Sequence, residues 1–152
     1  MCNNCTSNQE VCVAELVNIQ TGEVLDWDRV EGLKDNAMLK VKPELWIEWD
    51  FEKNSNLGFD VWKVTKASSS KVWWICPKCN SSYDSIINGR CVRNRGCSYC
   101  AGRKVNDTNS LASLNPELAS QWHPNRNGNL TPQDITCGSN KKVWWLGDCG
   151  HE

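Results

Sequence analysis

Lys71-Val72-Trp73-Trp74-Ile75-Cys76-Pro77-Lys78-Cys79 carries a short apolar run of β-forming residues straight into two cysteines separated by two residues. A second pair, Cys97-Ser98-Tyr99-Cys100, follows after seventeen intervening residues. The pattern C-x2-C-x17-C-x2-C falls in the range of four-cysteine zinc sites. Each tight knuckle supplies two thiolates, half of a tetrahedron, and two knuckles complete it. Proline after the first cysteine and glycine before the third suit such turns. Four sulfur ligands leave no open position, so the expected zinc ion is structural and not catalytic.

Outward from these knuckles the sequence repeats itself. Pro43-Glu44-Leu45-Trp46-Ile47-Glu48-Trp49-Asp50 matches Pro116-Glu117-Leu118-Ala119-Ser120-Gln121-Trp122-His123 at an offset of 73 residues. Asn54-Ser55-Asn56-Leu57 matches Asn127-Gly128-Asn129-Leu130 at the same offset, and Lys71 to Ile75 matches Lys142-Val143-Trp144-Trp145-Leu146 at 71. Three ordered matches in one register indicate an internal repeat. In each unit proline suits the first turn of a helix, and Asn115 is a good N-cap for the second. Leu45 and Trp49, like Leu118 and Trp122, stand four apart and are expected on one helical face. The Lys-Val-Trp-Trp segment is expected as a strand, with Ser81 to Ile87 as its neighbour and Asn88-Gly89 as a turn. Val72, Trp73, Trp74 and Ile75 are all apolar, so both faces of that strand are expected to be buried. Residues 1–32 fit neither unit. Val11 to Ile19, Thr21-Gly22 and Val24 to Trp27 read as a β-hairpin packed on the first repeat. The expected organisation is an N-terminal extension over 1–32, a first zinc repeat over 33–105, and a second repeat over 106–152.

The 152 residues hold ten cysteines and nine tryptophans, with 39% apolar residues. Small modules with thin cores need a staple, and tryptophan adds large buried area per residue. No leader peptide or membrane span is recognisable, so a cytoplasmic location is expected, where thiols serve as metal ligands more often than as disulfides. Cys91 and Cys137 lack a partner knuckle and are expected as small buried residues. Charge is uneven. Residues 1–60 hold twelve acids and five bases, a balance of −7, while residues 61–152 hold six acids and twelve bases, a balance of +6.

Asn109-Ser110-Leu111-Ala112, Asn115-Pro116-Glu117-Leu118-Ala119 with Trp122, Leu130-Thr131-Pro132, and Gly138-Ser139-Asn140-Lys141-Lys142-Val143-Trp144-Trp145 with Cys149-Gly150-His151-Glu152 form a recognisable series. Together with Gly96-Cys97-Ser98-Tyr99-Cys100-Ala101-Gly102, this series resembles the zinc-ribbon or treble-clef zinc-finger repeat family of bacteria, phages and large viruses. The resemblance covers about residues 34–152. It implies an α+β fold of small zinc-stabilised repeats: short helix, strand, zinc knuckle, β-hairpin, and a second knuckle leading into a helix. It also implies a module often joined to nuclease-type domains in mobile-element and defence-related proteins, with nucleic acid as the expected partner, DNA rather than RNA.

The second repeat departs from this pattern. Cys149 and His151 stand where its first knuckle belongs, but the second knuckle would lie about twenty residues further on. Either the sequence is a fragment of a longer protein, or another segment completes the site. Cys2 and Cys5 form an unused C-x2-C, and with Cys149 and His151 would give a candidate Cys3His zinc site.

No Ser/His/Asp set, phosphate-binding loop or acidic metal cluster accompanies these features, so a binding module is expected and not an enzyme. Arg90, Arg93, Arg95, Arg103 and Lys104 surround the second knuckle with Asp84 as the one acid between Cys79 and Asp107. With Lys141 and Lys142 they form a candidate phosphate-contacting set. A helix beginning near Cys97 would add backbone amides. Trp73 and Trp144 are candidates for stacking on bases, though a core role is the cheaper explanation for tryptophan in so thin a fold. The acidic first third supports a different partner, a basic protein met by an adaptor or inhibitor.

Overall fold

The structure, a computed structural model, describes residues 15–150. The chain divides into two compact units, residues 1–95 and 96–152. The elements in order are α1 (Trp27–Glu31), α2 (Met38–Val41), α3 (Leu45–Glu48), α4 (Phe51–Asn56), β1 (Lys71–Ile75), β2 (Ser82–Ile86), α5 (Ile87–Cys91), α6 (Leu111–Leu114) and α7 (Pro116–Ser120). Every helix is a turn or little more, too short to be stable by propensity alone. Caps and packing hold them. Asp26 accepts from the Arg29 amide, Asp50 from Lys53, Ser110 from Ser113 and Asn115 from Leu118. These side chains satisfy amides that a helix start leaves without partners.

In residues 1–95, β1 and β2 pair antiparallel, with Trp74 opposite Tyr83 and Trp73 opposite Asp84. The strand after Lys71 forms as expected, and so does its neighbour. Its burial is one-sided, however. Val72 and Trp74 are buried while Trp73 and Ile75 are only half-buried. The outer face is open enough for Lys53 to lay its ammonium 4.0 Å from the Trp73 ring centroid. Asn88-Gly89 is no turn either. Both lie inside α5, because Ile87 and Cys91 are drawn into the core on one helical face.

Trp49 is not on the α3 face with Leu45. It leaves the helix in an extended conformation and bridges to Trp74. The two indoles meet edge to face, 5.4 Å apart at 88°. That arrangement favours the ring quadrupoles. Around it lie Trp46, Met38, Leu39, Leu45, Tyr83 and Ile87, all buried. Tryptophan therefore builds this core, as the composition suggests.

Among the described residues the expected N-terminal hairpin shows a single bridge, Val17 to Val24, and Trp27 begins a helix. Residues 11–14 of the expected first strand lie outside the described residues. The buried Asn18 anchors this segment by donating to the carbonyls of Trp46 at 2.7 Å and Trp49 at 2.9 Å.

Residues 96–152 use the same bonds on a smaller scale. In the first unit Ala37 bridges Thr65 and the Met38 amide donates to Val64; in the second Ser110 bridges Thr136 and the Leu111 amide donates to Ile135. Trp122 bridges Trp145 with rings 5.5 Å apart at 85°. Asn54 brackets Trp73, accepting from its amide at 2.8 Å and donating to its carbonyl at 2.9 Å. Asn127 does the same for Trp144, at 2.7 and 2.9 Å. The expected strand over 142–146 is present only as the Trp145 bridge, with no ladder among the described residues. Among the described residues no helix is long and apolar enough to cross a membrane.

Candidate metal centre and cationic groups

The first knuckle is the turn of the β1–β2 hairpin. The Cys76 amide donates to the Ser81 carbonyl at 3.0 Å, and the Asn80 amide donates back to Cys76 at 2.8 Å. Asn80 adopts φ +55°, in the left-handed region that asparagine tolerates better than most residues. The second knuckle repeats the spacing. The Ala101 amide donates to the Cys97 carbonyl at 3.1 Å, four residues back, as Asn80 does to Cys76. Here Gly102 takes the left-handed conformation, at φ +70°, and lets the Arg103 and Lys104 amides both reach the Ser98 carbonyl.

These two loops bring Cys76, Cys79, Cys97 and Cys100 together. Their sulfurs all lie within 4.8 Å of one another. Zinc–sulfur bonds of about 2.3 Å in a tetrahedron place sulfurs about 3.8 Å apart, so the cluster needs only small adjustment to close on an ion. The donor chemistry fits zinc: four soft thiolates and no carboxylate. Cys76 and Cys97 are buried and Cys100 is exposed, so one edge of the site faces water. Zinc held here fastens the hairpin turn to the segment that follows α5.

The helix expected to begin near Cys97 does not form. Residues 98–102 are turns, and the next helix is α6 at Leu111. The chain between is tied by Asn109, whose side chain donates to the carbonyls of Tyr99 and Lys104. Of the candidate second site, Cys2, Cys5 and His151 lie outside the described residues. Cys149 is exposed in a terminal turn. Cys91 is buried as expected, and burial pushes its thiol up to about 11 against the pull of Lys42 and Arg90. Cys137, expected to be buried, is exposed, because it lies in the turn that follows the Thr136 bridge.

Arg90 leaves the cationic set. It is 8% exposed, pairs with Glu48, donates to the Arg95 carbonyl and lies 5.4 Å from the Trp74 ring. A guanidinium so buried and paired lies out of reach of a phosphate backbone. Burial pushes the Glu48 carboxyl above its ordinary value, and the Arg90 charge and hydrogen bond oppose the shift. Sequence spacing gave no sign of this pair, since the partners are 42 residues apart.

The other cations are exposed. Arg93 and Arg95 border a small pocket of about 210 Å³ beside Asn88 and Gly89. Arg103, Lys104 and Lys141 line one cleft of about 610 Å³ with Tyr99, Gly138 and Asn140. Its acid, Asp134, accepts hydrogen bonds from the Thr131 hydroxyl and amide, which hold its carboxyl below the usual range. Lys142 is exposed beside it in sequence. Trp73 is half-buried, whereas Trp144 is 50% exposed with the Arg126 guanidinium 4.7 Å from its ring centroid.

Sequence reasoning missed two recurring roles. Asp50 and His123 occupy matching positions. Asp50 caps α4 through the Lys53 amide, and His123 Nδ1 accepts from the Asn125 and Arg126 amides at 3.1 and 3.2 Å. Imidazole thus replaces carboxylate as the acceptor for a turn start. Lys53 and Arg126 likewise match, each placed over the tryptophan that its neighbouring asparagine brackets. The offset of 73 residues contained both signals.

No curated protein matches the chain. The family described as a probable treble clef zinc finger domain matches residues 45–103 and again residues 118–152, more than half of the sequence. The first match contains all four clustered cysteines and the hairpin between them, and the chain belongs to this treble-clef zinc-finger family.

Proposed function

We propose that this zinc-binding module is a non-catalytic nucleic-acid binder, with DNA the favoured partner. The observation that carries the reading is the cleft in which Arg103, Lys104 and Lys141 meet. Three cations border one concave surface, and the neighbouring carboxylate of Asp134 is already engaged by Thr131. Such a surface suits a phosphate backbone, which rewards charge without regard to sequence. Trp144 adds an exposed indole for an unpaired base, since stacking tolerates any base.

Fluorescence anisotropy of the zinc-loaded chain with labelled duplex and single-stranded DNA tests this across a salt series. Three phosphate contacts predict a log–log salt slope of about −2.7 on duplex. Arg103→Glu with Lys141→Glu should weaken all sequences alike. Unchanged affinity in that double variant, or no binding at low salt, would overturn the proposal. A second reading, a module for a basic protein partner, draws on the balance of −7 over residues 1–60. It predicts loss of binding when acids of that segment are neutralised and no dependence on Arg103.

A further inference from the structure

Two arginines stand on the loop that follows α5. Arg93 and Arg95 are both exposed, and among the described residues neither lies within ion-pairing distance of a carboxylate. The acid nearest to them in sequence, Asp84, is already paired with Lys71 at 3.1 Å. Both arginines border one hollow of about 210 Å³, together with Ser69, Ile86, Asn88 and Gly89. Among the described residues no acid lines it.

The loop is held from inside. The Arg93 amide donates to the Asn88 carbonyl at 3.3 Å, and the Arg95 amide to that of Gly89 at 2.8 Å. The Arg95 carbonyl accepts from the buried Arg90 guanidinium, which pairs in turn with Glu48. Asn94 takes the left-handed conformation at φ +52°, and its side chain accepts from the Lys42 ammonium. A Cβ at Gly89 would meet Arg95 Cδ at 3.3 Å, so the bare glycine lets the Arg95 stem lie close against α5. A buried arginine–glutamate pair adds little stability by itself. Here it secures the backbone on which both free guanidiniums stand, and groups fixed beforehand lose less entropy on binding.

We infer that this hollow binds a terminal phosphate, the dianionic group of a phosphomonoester. Each guanidinium offers paired N–H donors that match phosphate oxygens. A phosphomonoester carries a charge of about −2 at neutral pH and several acceptor oxygens, enough for both arginines. A carboxylate or a backbone phosphodiester carries a single charge. Asn88 and Ser69 add neutral donors for a remaining oxygen. A small hollow also suits a terminal group better than a backbone that must run through it. The choice of carrier, a nucleotide, rests on the nucleic-acid reading. The phosphate site itself does not, since hollow and cleft share no residue.

The test uses the zinc-loaded chain, with titration calorimetry and the arginine side-chain N–H signals in NMR as readouts. The probes are inorganic phosphate, thymidine 5′-monophosphate, thymidine and acetate. Phosphate and the nucleotide should bind at one per chain and shift the signals of Arg93 and Arg95, while thymidine and acetate should not. Arg93→Gln and Arg95→Gln should each weaken the nucleotide about tenfold, as expected for loss of one charge-assisted contact. Arg103→Glu with Lys141→Glu should leave it unchanged. A second arm compares oligonucleotides with phosphorylated and hydroxyl 5′ ends. Severalfold tighter binding of the phosphorylated end, lost in Arg93→Gln, identifies a strand end as the source; equal binding of the two ends identifies the free nucleotide. No saturation at millimolar phosphate and nucleotide, equal binding of acetate, or affinity that survives both arginine variants would overturn the inference. DNA binding that persists in that event leaves the cleft reading standing, and nucleotide binding without any DNA binding overturns the cleft reading alone.

Discussion

Trp74 and Trp145 hold corresponding places in two stretches that share a tryptophan–tryptophan bridge and an asparagine bracket, yet one is wholly buried and the other half-buried. Each meets its partner indole edge to face at nearly the same distance, 5.4 and 5.5 Å. Each follows a tryptophan bracketed by an asparagine and covered by a cation. The difference lies in what lies across the strand. In the first stretch a knuckle turns the chain back as β2 and α5, and the four cysteines clamp the far end. In the second, residues 142–146 have no such cover among the described residues. The comparison teaches that the bridge, the bracket and the stacked cation set the local geometry, while the hairpin and its metal determine burial.

The largest effect is expected at the metal. Cys76→Ser should remove zinc and unfold the hairpin, since in small modules much of the metal's binding free energy is folding free energy. Zinc content and circular dichroism would check it. A variant that keeps its fold without metal would break the view that the knuckles close the core. Next come the two indoles. Trp74→Ala should cost about 3–5 kcal/mol, the usual range for a buried aromatic, and Trp145→Ala less than about half of that. Equal costs by urea unfolding would mean that the exposure difference has no energetic counterpart.

The asparagine brackets should separate in the same direction by a smaller amount. Asn54 is fully buried, so Asn54→Ala leaves the Trp73 amide without its acceptor and the Trp73 carbonyl with the Asp50 amide alone, a loss of about 1–3 kcal/mol. Asn127 is half-buried and water can replace it, so Asn127→Ala should cost under about 1 kcal/mol. The smallest effect is electrostatic. Burial raises the folded-state pKa of Glu48 above its ordinary 4.5 despite Arg90. The folded state then holds the proton longer than the unfolded state, so this group's contribution falls as pH rises from about 4.5 through the folded value. Glu48→Gln should flatten that fall in a pH series of unfolding curves. An unchanged slope would show that Arg90 compensates the burial fully.

Much of the metal centre was legible in the sequence. The spacing of Cys76, Cys79, Cys97 and Cys100 names a tetrahedral sulfur site, because ligand number and knuckle length are local properties of the chain. The caps at Asp50, Ser110 and Asn115 also follow from local rules, though only the last was anticipated. So does strand β1, whose residue types suit a pleated surface. Tertiary structure alone decided the rest. Arg90 looks like its neighbours Arg93 and Arg95 in sequence, but a carboxylate 42 residues away and two aromatic rings draw it inside. Trp49 has helical spacing from Leu45, yet the bridge to Trp74 pulls it off the helix. Asn88-Gly89 has turn chemistry, yet the burial of Ile87 and Cys91 holds it helical. Local chemistry fixes what a residue can bond to within a few positions. Which groups lose their water is set by segments distant in sequence, and burial outweighs propensities of a fraction of a kcal/mol.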